Sequence, residues 1–138
     1  IAGFGFFIMV IALAGNLAET AFVMGTAEAS SKMAQAAAAG SAESAASAGA
    51  VAASLYSASQ AIGAVTTALL FLGFGIIGYG VYMQKNFNAI IACLIVAIGI
   101  IGVVLPIIDY AQLWMVIPWV SFICMSIALG VISIRSNG

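Results

Sequence analysis

Three uncharged apolar runs, each long enough to cross a bilayer, constrain this chain more than anything else in it. They are Ile62–Met83, Ala89–Ile108 and Leu113–Ile134, of 22, 20 and 22 residues. At about 1.5 Å of rise per residue each makes a helix of roughly 30–33 Å, which matches a hydrocarbon core. A fourth run opens the chain. Ile1–Ala18 continues past Asn16, Glu19 and Thr20 to Phe22, Val23 and Met24, and its first 18 residues alone give about 27 Å of helix. The fold class expected from these runs is all-α, an integral membrane bundle of four transmembrane helices.

Composition supports that expectation and removes several functions. Hydrophobic residues make up 65% of the sequence and mean hydropathy is +1.28, against roughly 45–50% apolar residues in soluble domains. A soluble domain of this size could not hide so much apolar surface, so a lipid bilayer or partner subunits must cover it. Three Lys or Arg against four Asp or Glu leave a net charge of −1, and no basic cluster exists. Nucleic-acid binding and polybasic recognition of anionic lipid both need grouped cations, and both are disfavoured. The sequence has no His. It offers no nucleophile–base pair and no phosphate loop, so the expectation is no enzyme, no catalytic residue and no cofactor.

Residues 28–60 differ from their surroundings, with Ala and Ser dominating and few bulky side chains beyond Met33, Leu55 and Tyr56. Ala favours helix, and Glu28 stands four residues before Lys32 in the favourable order. Gly40 and Gly49 weaken that preference, and a flexible Ser/Ala/Gly linker is the competing reading. The division expected is a first transmembrane helix over 1–27, a mostly helical extramembrane Ala/Ser-rich segment over 28–60, and a three-helix bundle over 61–138. The chain opens at Ile1 with neither Met nor a charged flank, and no signal-peptide pattern is visible, so residues are expected upstream.

The short stretch Gln84–Asn88 forces the second and third spans into an antiparallel hairpin. The third span is expected to end near Pro106, and Asp109 to sit in a solvated turn. Pro118 falls in the first turns of the fourth span, where a missing N–H is least costly. Lys85 and Arg135 are two spans apart and therefore on one side. The positive-inside rule then places the Lys85 loop and the C-terminus in the cytoplasm, with plasma membrane as the expected location. Trp114 and Trp119 suit the opposite interface.

Small residues recur at helical spacings. Gly73 and Gly80 are seven apart on one face, Gly75 and Gly78 three apart, and in the next span Ala92, Gly99 and Gly102 repeat the pattern. Such residues let backbones approach where lipid removes the hydrophobic drive for association. These seven positions are the expected helix-packing residues; a hinge is the other reading. Glu19 is the one carboxylate inside an apolar run, with Asn16 a turn away on the same face. A carboxylate at membrane depth suggests proton relay or cation coordination, whereas at an interface it is merely solvated. Cys93 and Cys124 read as free apolar-type residues. With Met115 and Met125 they could in principle take Cu(I), but their spacing forms no recognised chelate and no metal site is expected.

The segment LFLGFGIIGYGVYMQKNF (Leu70–Phe87) followed by IACLIVAIGIIGVV (Ile91–Val104) resembles the C-terminal half of an uncharacterised family of small multi-span membrane proteins, a domain of unknown function. The likeness extends over Gln60–Arg135. That family has a glycine-rich span ending in an aromatic pair, a short basic loop, then another glycine-containing span, and it implies two further spans upstream. Its loop often carries a proline after the basic residue, where this chain has Asn86–Phe87–Asn88. No catalytic residues are assigned in the family, so none transfers.

Three functions remain open on these grounds. The first is a non-catalytic membrane subunit or scaffold, with other membrane subunits or a second copy as partners. The second is a transporter or channel component using Glu19 and Asn16. The third is an accessory subunit of a membrane-bound enzyme whose cofactors sit on other chains.

Overall fold

The computed structural model describes residues 1–84, 88–111 and 113–136. Four α-helices account for nearly all of them: α1 (Ala2–Ala38), α2 (Ala42–Met83), α3 (Ala89–Ile108) and α4 (Val116–Ser136), with a 3-10 turn at Leu113–Met115 leading into α4. No strand occurs among the described residues. All four helices are long and apolar enough to cross a membrane, so the chain is an all-α integral membrane protein.

Neither α1 nor α2 breaks where the composition changes at residues 28 and 60. They run for 37 and 42 residues, about 55 and 63 Å, well beyond one bilayer thickness. Ala is the strongest helix former, which lets the Ala/Ser stretch carry both helices onward. Hydroxyls are absorbed locally. Thr20, Thr26 and Ser57 each donate to the carbonyl four residues back, at 2.9, 2.9 and 3.0 Å.

Residues of the chain gather into two compact units, one of 1–13 with 64–138 and one of 14–63. The second unit is a helical hairpin whose turn is written by two adjacent residues. Gly40 has φ 75°. Its N–H donates to the Ala37 carbonyl and that of Ser41 to the Ala36 carbonyl, both at 3.0 Å. This is the paired Schellman bonding that ends a helix on a left-handed glycine. Ser41 at once caps α2, its hydroxyl donating to Ser44 Oγ at 2.9 Å and its carbonyl accepting from the Ala45 N–H at 3.0 Å. Gly40, which counts against a helix when averaged over composition, is where one helix stops and the next begins.

In the first unit, Asn88 caps α3 by accepting the Ile90 N–H at 2.9 Å. α3 continues through the buried Pro106 to Ile108, two residues beyond the end expected from the proline. Asp109 caps the C-terminal end as an exposed residue whose Oδ1 accepts the Ala111 N–H at 3.1 Å. Lys85, Asn86 and Phe87 of the expected basic loop lie outside the described residues, as does the side chain of Arg135.

Candidate functional site

The first unit is organised around residues 64–83 of α2, which present a different small-residue face to each neighbour. Toward α1, a Cβ on Gly73 would lie 2.6 Å from both the Gly5 carbonyl oxygen and Met9 Cγ, and one on Gly80 would lie 3.0 Å from the Ala2 nitrogen. Toward α3, a Cβ on Gly78 would lie 2.6 Å from Ile95 Cγ2, and one on Gly75 would be 3.4 Å from Gly99 Cα. Gly102 takes the ring of Phe71 into the space a side chain would need. Ala92 is fully buried. The six glycines singled out by spacing therefore sit at helix contacts, but Gly73 and Gly80 belong to a different contact from Gly75 and Gly78.

The α1 side of that contact gives no distinct signal in the sequence. Ala2, Gly5, Met9 and Ala12 are spaced three, four and three residues apart, a coiled-coil interval hidden beneath the uniform apolarity of the run. Phe71 gives no distinct sequence signal either. Its ring stands edge-on to Trp119 and Phe122, with centroids 5.5 and 5.8 Å away, and Phe74 meets Phe122 at 4.7 Å. Such edge-to-face pairs add about 0.5–1.5 kcal/mol beyond area burial. Trp119 thus serves the core, while Trp114 is exposed.

An almost entirely apolar groove of about 380 Å³ runs between α2 and α3, with Gly75 and Gly99 flanked by Leu72, Ile76, Val96 and Ile100, and Tyr79 at its side. Tyr79 and Cys93 line its continuation. It offers no charge and no catalytic group. In fold terms it is a furrow opened by missing side chains at Gly75 and Gly99.

In the second unit the hairpin seam is built from small residues. Ala29 and Ala52 are buried, Leu55 covers Gly25 at 3.3 Å from a notional Cβ, and Met33 Sδ covers Gly49 at 3.1 Å. The seam of α2 steps through Ala45, Ala48, Ala52, Leu55 and Ser59 in alternating threes and fours, the knobs-into-holes interval. Ser59 is 1% exposed and donates its hydroxyl to the Tyr56 carbonyl at 2.8 Å. Glu28 and Lys32 pair at 2.7 Å on the exposed side.

Asn16 and Glu19 fall in this unit, both half-buried, and both engage neighbouring groups. The Asn16 carbonyl also accepts the Thr20 hydroxyl at 2.9 Å. Cys93 and Cys124 are exposed free thiols, whereas Met115 is buried. No group of three or more His, Cys, Asp or Glu able to hold a metal occurs among the described residues. Chemically the described residues offer close backbone contacts, apolar furrows and, in Glu19, a half-buried carboxylate that is already engaged. No family model, curated protein or solved structure matches the chain.

Proposed function

We propose that this chain is a non-catalytic subunit or scaffold of a larger membrane complex, and that the hairpin of residues 14–63 is its docking element. The observation that carries this reading is the outward face of the hairpin. Ala34, Ala37, Ala46, Ala50 and Ala53 are exposed there. Between residues 28 and 60 the only charges are Glu28, Lys32 and Glu43, and the first two neutralise each other. Helices that face water alone carry charged and polar residues on their outer side. A face of Ala and Ser instead permits close backbone approach by another helix.

The partner is a helix-rich membrane subunit or a second copy. If that partner carries cofactors, the chain is an accessory subunit of a membrane enzyme, a difference residing wholly in the partner. The plasma membrane is the proposed location, with the Lys85 loop and the C-terminus cytoplasmic by the positive-inside rule.

Purification in mild detergent, followed by identification of co-purifying chains, tests the proposal. Hydrogen exchange supplies the second arm: amides in residues 33–53 should be slower in the native assembly than in the isolated chain. An isolated, verified monomer whose amides are equally protected would remove the need for a docking partner.

A further inference from the structure

Thr67 is the one buried side chain among the described residues whose polar atom has no hydrogen-bond partner. It is 1% exposed. Its behaviour departs from that of Thr20 and Thr26, which fold their hydroxyls back onto the carbonyl four residues earlier. Thr67 is equally free to do so by helix geometry, yet its Oγ lies elsewhere.

The register between α2 and α3 locates the groups opposite it. Gly78 meets Ile95, Gly75 meets Gly99, and Phe71 meets Gly102. One turn further along this antiparallel pair, Thr67 comes level with Pro106. Phe71 also contacts Trp119 of α4, which brings the first turns of α4 to the same level. Pro106 and Pro118 are both fully buried. Pro106 has no N–H, so the Gly102 carbonyl, four residues back, loses its helical donor. Within a membrane such freed carbonyls are re-satisfied by Ser or Thr side chains of neighbouring helices or by ordered water.

We propose that Thr67 Oγ and the Gly102 carbonyl oxygen together hold one buried water, which closes the hydrogen-bond gap that Pro106 opens in α3. The site binds a single small molecule able both to donate and to accept, and two partners meet the lower requirement for a buried water. Thr67 supplies the acceptor and donor on α2. Gly102 supplies the acceptor on α3, and the water links the two helices at the level where α3 departs from regular bonding.

Thermal unfolding in mild detergent of the parent, Thr67→Val, Pro106→Ala and the double variant tests the site. Valine keeps the shape of threonine and removes the hydroxyl. An orphaned hydroxyl is a desolvation cost, so its removal should then raise the melting temperature or leave it unchanged. A water-holding hydroxyl gives the opposite sign, and a fall of several degrees is expected. With Pro106→Ala the Gly102 carbonyl regains its helical donor, so Thr67→Val in that background should cost little. A rise or no change in the parent background overturns the proposal, as does an equal fall in both backgrounds. If Pro106→Ala fails to fold, a crystal structure decides. A solvent peak within about 3.2 Å of both atoms supports the site, and its absence where other buried waters are visible overturns it.

Discussion

Gly75 and Gly99 face each other asymmetrically across α2 and α3. A Cβ on Gly75 would sit 3.4 Å from Gly99 Cα, an ordinary contact, whereas a Cβ on Gly99 would sit 2.5 Å from Gly75 Cα. Gly99→Ala should therefore destabilise by about 1–3 kcal/mol, the usual cost of overpacking, while Gly75→Ala should stay close to the parent. Gly130 has nothing within 4 Å of a notional Cβ, and Gly130→Ala should gain up to about 1 kcal/mol from helix propensity. Melting temperatures of the three variants in one detergent check the order. Equal losses at Gly75 and Gly99 would contradict the geometry.

The contact of α1 with α2 makes a sharper demand. Gly73→Leu and Gly80→Leu each insert a side chain where α1 backbone already lies at 2.6–3.0 Å. Both should lower thermal stability and loosen α1, because close packing dominates helix association in lipid. Gly3→Leu is the control, since nothing lies within 4 Å of it. Cysteine cross-linking between Ala2 and Gly80 positions should succeed in the parent and fail in the Gly73→Leu background.

At the hairpin turn, space and backbone conformation give opposite expectations, and conformation decides. Nothing lies within 4 Å of a Cβ on Gly40, but its φ of 75° is left-handed. Gly40→Ala should cost about 1–2 kcal/mol, and Gly40→Asn less, because Asn tolerates that region. Local hydrogen exchange at residues 36–45 should speed up in the order Gly, Asn, Ala. Unchanged exchange in the alanine variant would refute a strained turn.

Orientation is open to direct labelling. Ala46 and Gln84 are both exposed, and with Cys93 and Cys124 replaced, single cysteines at those two positions should label from opposite sides. The Gln84 position should be reached from the cytoplasm. Labelling of both from one side would rule out the proposed topology.

Much of the architecture is legible in the sequence because lipid imposes a length rule on uncharged runs. The three spans after residue 61 and the helix-packing glycines follow from that rule and from spacing. Where α1 and α2 truly end does not, since the signal lies in Ala45, Ala48 and Ala52, small residues whose periodicity bulk hydropathy averages away. The Gly40–Ser41 pair carries a cap signature on adjacent residues, and it becomes readable only when position is weighed above composition. Asn16 and Glu19 are visible as a same-face pair. Their spacing gives the shared face and says nothing of the groups they engage. Thr67 gives no signal at all, because a threonine that folds back on its own helix and one that does not share the same letter.

Residues 64–83 of α2 serve α1 through Gly73 and Gly80, α3 through Gly75 and Gly78, and α4 through Phe71 and Phe74. This arrangement sets an order on biogenesis. α1 precedes α2 in synthesis, so its Ala2–Gly5–Met9 face can dock on Gly73 and Gly80 only once α2 arrives. From then on α2 acts as a template against which each later helix is sorted by shape. Between the two arrivals that small-residue face is open to a wrong neighbour, and any factor that shields such faces during insertion would act in that interval.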